Sequence, residues 1–179
     1  MNTQRFKNLI GSVHEIWASK ALNTPLNTMG RGGIDLLDGY KGIEVKSCMI
    51  KPNDPDPKRH YVKWTMFGYQ LSWGDKKYND MPLFFALCTY ELSHNVSRLW
   101  TQDPKRLESH VKNREIWVVP WNWSTQFPPK VGKCHTYKYL RPNPRADLGI
   151  APIPEVIDKV ERKKGTIYFT EGANISMFS

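Results

Sequence analysis

Cysteine is scarce and scattered in this chain. Cys48, Cys88 and Cys134 are odd in number and share no CxxC spacing, which excludes a disulfide framework and a cysteine-built zinc site. They read as reduced, structural thiols. Long apolar runs are also missing: none approaches the roughly 20 residues that cross a bilayer, and the first residues lack the basic-then-apolar order of a signal peptide. A soluble, cytoplasmic protein without membrane contact is the expectation. Acidic residues are in deficit, 17 against 26 Lys and Arg, for a formal net charge of +9. That balance suits a polyanionic partner, a nucleic acid or an acidic membrane surface, without choosing between them. There is no internal repeat and no low-complexity tract.

What is present points to an ordered chain. Aromatic residues make up 12% of the sequence, with seven Trp, too many for a disordered basic protein. Phe6, Leu9, Ile10, Val13, Trp17 and Ala21 recur at three- and four-residue steps and predict a helix over about 5–22. Two short apolar runs, 34–37 and 42–50, flank the turn signal Asp38-Gly39 and predict a hairpin. Three prolines make 51–59 a loop, and 61–73 reads as a helix. The continuous apolar run 83–88 predicts a buried strand at the centre of a sheet. Asp103 and Pro104 open a helix predicted over 104–113, followed by a strand over 115–119. Beyond Pro120 the chain becomes Pro-rich, basic and aromatic, with short strands, a helix over 155–164 and a strand over 166–169. The order implies an α/β fold, a mixed central sheet flanked by helices, with a core over 1–120 and an extension over 121–179 packed on it for DNA recognition or dimerisation.

The chemistry is concentrated in the stretch Gly33-Ile34-Asp35-Leu36-Leu37-Asp38-Gly39-Tyr40-Lys41-Gly42-Ile43-Glu44-Val45-Lys46-Ser47. Side chains alternate along a strand, so Glu44 and Lys46 share a face while Ile43 and Val45 point to the other. With a two-residue turn, Asp35 pairs with Gly42 and lies diagonal to Glu44; with a four-residue loop it lies opposite Glu44. Either loop brings the two carboxylates onto one face, with β-carbons roughly 5–8 Å apart; an odd loop would separate them. Like charges at that spacing repel unless a cation neutralises them. Mg²⁺ fits, held by Asp35, Glu44 and the Val45 carbonyl, with positions left for a phosphate oxygen and a water. Lys46 then orients the water and offsets charge on the phosphorane. Asp38 belongs to the turn.

An acidic residue, a short turn and then Glu-X-Lys on the next strand resembles the signature of the PD-(D/E)XK nuclease superfamily. Glu44-Val45-Lys46 matches it intact, and Ile34-Asp35 stands where Pro-Asp is usual. The N-terminal part is also similar to archaeal Holliday-junction resolvases. The resemblance implies a restriction-endonuclease-like core of helix, three-stranded meander, helix and strand, the hairpin and the 83–88 strand supplying the meander. It also implies a catalytic set of Asp35, Glu44, Lys46 and, from the first helix, Glu15. Gly11 would then let a DNA backbone approach, and Gln70 is the candidate polar residue after the signature.

The expectation is thus a Mg²⁺-dependent endodeoxyribonuclease acting on double-stranded DNA, with Mn²⁺ able to substitute and no organic cofactor. Some 60 residues beyond Val119 favour a sequence-specific type II restriction enzyme, working as a homodimer that matches a two-fold site. The alternatives are a junction resolvase or other structure-selective nuclease, and a catalytically silent DNA-binding module. Several features have plainer readings. An isolated Glu-X-Lys is usually an exposed charge pair. Trp117, Trp121 and Trp123 suit packing better than base stacking. Arg162-Lys163-Lys164 suits a solvated helix end. Cys134-His135 finds no matching ligand spacing among the other histidines, so zinc is not expected.

Overall fold

The computed structural model describes residues 3–28, 33–50, 64–73, 77–78, 80–93, 103–132, 136–140, 155–162 and 164–179. The 51–59 loop and Cys134-His135 lie outside the described residues. Helix α1, Thr3–Ala21, buries Ile10, Val13, Trp17, Ala18 and Ala21 along one stripe. It ends at Asn23, which adopts the left-handed conformation with φ 49° while Thr24 N–H closes on Ser19 O at 3.1 Å, a helix stop that asparagine tolerates. No described helix is long and apolar enough to cross a membrane.

Six strands form a mixed open sheet: β1 (Leu36–Leu37), β2 (Gly42–Met49), β4 (Leu83–Leu92), β5 (Val111–Pro120), β8 (Val156–Glu161) and β9 (Gly165–Thr170), in the order β1-β2-β4-β5-β9-β8. The apolar run in β4 lies at its centre, as its composition demands. β3 (Trp64–Phe67), β6 (Lys130–Val131) and β7 (Thr136–Leu140) form a second, three-stranded sheet. Alternation along β4 sorts the core into two layers. Phe84, Ala86 and Cys88 meet α1 through Trp17, Ala18 and Ala21, whereas Phe85 and Leu87 meet Trp64 and Met66 of β3 together with Phe127. The chain is therefore α/β with few helices, one face of its sheet covered by α1 and the other by the small sheet.

Four sequence expectations are corrected. The 61–73 helix is, from Trp64 onward, strand β3 followed by a single 3-10 turn at Gly68–Gln70; Trp64 and Met66 are buried at period two, and Trp64 Nε1 donates to Cys88 O at 2.9 Å. The 155–164 helix is strand β8, hairpinned onto β9 by a turn in which Arg162 N–H donates to Gly165 O at 2.8 Å and Lys164 adopts φ 63°. β-branched Val156, Ile157 and Val160 favour that strand over the helix their charged neighbours suggest. Helix α2 stops at Glu108 (Pro104–Glu108), although Asp103 caps it as expected by accepting from Lys105 N–H at 2.9 Å; Val111 and Lys112 instead pair with Leu92 and Glu91. Finally, β2 and β4 run parallel, so the hairpin and the Leu83 strand do not form a meander.

β9 lies parallel to β5, so residues 165–170 belong to the same sheet as the strands that precede Pro120. Helix and sheet approach tightly at Gly165, where a β-carbon would lie 2.4 Å from Trp17 Cζ2 and 3.1 Å from Arg114 O. The indole is buried beneath the Arg114 guanidinium, 4.4 Å from its ring centroid, and has little room to yield. Gly165→Ala is expected to cost about 1–3 kcal/mol through overpacking, read as a lower urea midpoint at unchanged slope.

Candidate active site

The site grows out of a short edge strand. Leu37 pairs with Gly42 and Leu36 with Ile43, so the hairpin loop has four residues, Asp38–Lys41. Asp38 builds that loop from within: its Oδ1 accepts from Tyr40 N–H at 2.9 Å and Lys41 N–H at 3.0 Å, and its Oδ2 pairs with Lys41 Nζ. Burial works against the charge on Asp38, but the bonds from Lys41 and Tyr40 prevail and hold the carboxyl below its usual range. Gly39 supplies the left-handed residue, φ 85°.

Because β1 ends after two residues, no strand among the described residues continues along the outer edge of β2 past Ile43. The Asp35 side chain occupies that position, its Oδ2 accepting from Val45 N–H at 2.8 Å. A residue's N–H and C=O point to the same side of a strand, so the Val45 carbonyl faces the same edge. The main chain around Asp35 is anchored from outside: Asn27 N–H donates to Asp35 O at 2.8 Å, and Leu37 N–H to Pro25 O at 3.0 Å.

Glu44 and Lys46 share the face turned toward β3, opposite to Val45, which packs on the α1 side. Glu44 is only 4% exposed. Its Oε1 accepts from Lys46 Nζ and from Gln70 Nε2, each at 2.5 Å, while its Oε2 is buried without a hydrogen-bond partner. Gln70, 1% exposed on the 3-10 turn, has its amide orientation fixed because its Oε1 accepts from Phe67 N–H at 2.8 Å and Lys46 Nζ at 3.2 Å. Glu15 joins from α1 as a partly buried carboxyl.

The electrostatics report how crowded this edge is. Burial, then Glu44 and Glu15, push Asp35 up to about 8, against the opposing pull of the Val45 N–H and Lys46. Burial and then Glu44 also raise Glu15, with Lys46 opposing. Such groups ionise together only beside a cation. Among the described residues no three His, Cys, Asp or Glu side chains form a ready-made metal cluster; the donor set is two carboxylates and a carbonyl. The partnerless Oε2 of Glu44, the Asp35 carboxyl and the Val45 carbonyl are hard oxygen donors that fit Mg²⁺ with water completing its shell.

The other sequence candidates fall elsewhere. A methyl group at Gly11 would meet only Glu15 Oε1, at an ordinary 3.7 Å, so the fold itself does not demand glycine there. His14 is buried against the Tyr90 ring, 4.5 Å between centroids, with its Nδ1 on Ile10 O, and His110 bonds Ser93. His60 and His94 lie outside the described residues. Trp117 stacks on Tyr168, Trp121 on Phe85, and Trp123 meets the Phe127 edge, all packing roles. Arg162 does not decorate a helix of its own. Its Nη1 donates to Ala21 O at the end of α1 and to Phe178 O at 3.1 Å, while Lys163 lies outside the described residues.

Asp35→Asn keeps an acceptor for Val45 N–H and removes one charge. An acid raised in the folded state holds its proton where the unfolded chain has released it, so Asp35 drains stability as pH rises from its ordinary 3.8 to about 8. In EDTA, the melting temperature of Asp35→Asn should gain on the parent across that window and hold a constant lead above it; parallel curves would contradict the crowding. Comparison with protein-family models, curated proteins and solved structures finds no match for this chain.

Proposed function

We propose that this chain is a Mg²⁺-dependent endodeoxyribonuclease that hydrolyses phosphodiester bonds, using Asp35, Glu44, Lys46 and Glu15. The observation that carries the reading is the buried Glu44 oxygen without a partner, beside Asp35 and Glu15 at an open sheet edge, with Lys46 held on the same carboxylate. An ordinary cross-strand ion pair would be solvated and would leave no buried acceptor empty. The net charge of +9 and the resemblance of Asp35 through Lys46 to the PD-(D/E)XK signature support DNA as the substrate.

Asp35, Glu44 and the Val45 carbonyl would hold the cation. When bound, Mg²⁺ supplies charge neutralisation for the phosphate and acidifies a coordinated water. Lys46 Nζ, positioned between Glu44 Oε1 and Gln70 Oε1, orients the attacking water and faces the charge that develops on the phosphoryl oxygens. Gln70 is a positioning residue: one amide fixes both Glu44 and Lys46. Glu15 adds a carboxylate from the far side of the sheet edge, suited to accepting the water's proton. Water forms the new P–O bond as the bond to the leaving sugar oxygen breaks, and that oxygen takes up a proton. The site does not itself choose between a palindromic duplex site, cut by a homodimer, and a branched or splayed substrate.

The test is incubation of the purified chain with a long duplex and with a four-way junction, each in Mg²⁺ and in EDTA. Mg²⁺-dependent cleavage of either is expected, with Mn²⁺ substituting. Lys46→Ala should lower the cleavage rate by at least about 100-fold, the scale of losing one transition-state donor, while DNA binding in EDTA persists. Full activity in Lys46→Ala or Asp35→Asn, or cleavage indifferent to EDTA, would overturn the assignment.

A further inference from the structure

Tyr69 precedes the buried Gln70 on the 3-10 turn and is 58% exposed. Successive side chains on such a turn point about 120° apart, so Gln70 enters the candidate site while Tyr69 stands at its rim. Its ring stacks with that of Phe67, centroids 6.0 Å apart and planes 7° from parallel. On the inner side it tilts against Trp73, at 5.8 Å. Trp73 is buried and stacks on Trp121, which stacks on the fully buried Phe85. The exposed ring, with Phe67 beside it, continues an aromatic series rooted in the core, and its position is set before any ligand arrives.

We infer that Tyr69 is a stacking platform for an unpaired nucleobase next to the cleaved phosphate, so that the preferred substrate carries splayed or single-stranded DNA at the cut. The inference rests on the nuclease reading only in placing the phosphate at Glu44 and Lys46. The occupant follows from three observations: an aromatic ring more than half exposed, the Lys46 ammonium held on the amide of the neighbouring Gln70, and a basic chain that favours polyanions. A nucleotide unites them, since its base presents a π face one sugar away from its phosphate. Bases inside a continuous duplex have both faces covered by their neighbours and cannot reach a protein ring without leaving the stack. Stacking on an aromatic side chain accepts any base, so the platform selects for base exposure and not for sequence. This favours the structure-selective form of the nuclease over the palindrome cutter.

The experiment measures binding of the full chain in EDTA, where nothing is cut, to a labelled blunt duplex and to the same duplex with a single-stranded thymidine tail. The unaltered protein should prefer the tailed DNA, and the tail alone should quench tryptophan emission through Trp73. Tyr69→Ala should weaken binding to the tailed DNA about 10-fold, the scale of one lost base stack, and leave blunt duplex within about 2-fold. Tyr69→Phe should match the parent on both. Equal loss on both DNAs, no loss on the tailed one, a loss in Tyr69→Phe equal to that in Tyr69→Ala, a change of oligomeric state in Tyr69→Ala, or no DNA binding at all would overturn the inference. Quenching of the unaltered protein decides the matter if Tyr69→Ala melts earlier than the parent, its absence counting against the platform. A tail preference that depends on Tyr69, in a protein that cuts nothing in Mg²⁺, would retire the nuclease reading and leave the platform standing.

Discussion

A strand two residues long, β1, leaves the N–H and C=O of Val45 turned toward an edge that no strand among the described residues covers. A sheet edge of that kind normally invites another strand. Here the Asp35 carboxyl takes the N–H, and an acidic cluster forms where a ladder would otherwise continue. The open edge also lets groups from opposite layers meet: Glu15 belongs to the helix side, Glu44 and Lys46 to the side of the small sheet, and their charges act on one another.

The arrangement sets stability against readiness. Burial concentrates the fields of Asp35, Glu44 and Glu15 on a small volume, and one lysine and one amide cannot neutralise all of them. Folding carries that cost, which a cation bound at the edge would relieve. Gln70 shows how the cost is contained: a neutral amide reaches Glu44 with its donor and Lys46 with its acceptor, adding order without adding charge.

Much of this was legible in the sequence, and the failures are physically specific. The α1 stripe and the apolar run of β4 could be read from periodicity alone, because each is long and its burial one-sided or complete. The face shared by Glu44 and Lys46 followed from strand alternation. The two even loop lengths were equivalent on paper; Asp38 chose the longer by bonding two N–H groups inside the loop. Gln70 is named by the resemblance alone, because a buried amide leaves no periodic trace, and nothing in the sequence singles out Tyr69, because exposure of a single aromatic is invisible without the turn that presents it. β3 is four residues long, too short for its period to outweigh a helical neighbourhood. β8 was misread because its charges mimic a solvated helix, although its β-branched residues and the Lys164-Gly165 turn carried the contrary signal.

The parallel pairing of β5 with β9 has a consequence for how the protein is made. β5 is complete at Pro120, yet the partner for its second edge is not synthesised until Gly165–Thr170, with residues of the small sheet and all of β8 emerging in between. During that interval the nascent chain presents a nearly finished apolar sheet with one long unpaired side, the form of strand most readily captured by a wrong neighbour. The charged outer strand β8, arriving just before β9, delivers the two as a hairpin, so that the last pairing event both closes the sheet and replaces its adhesive margin with a solvated one.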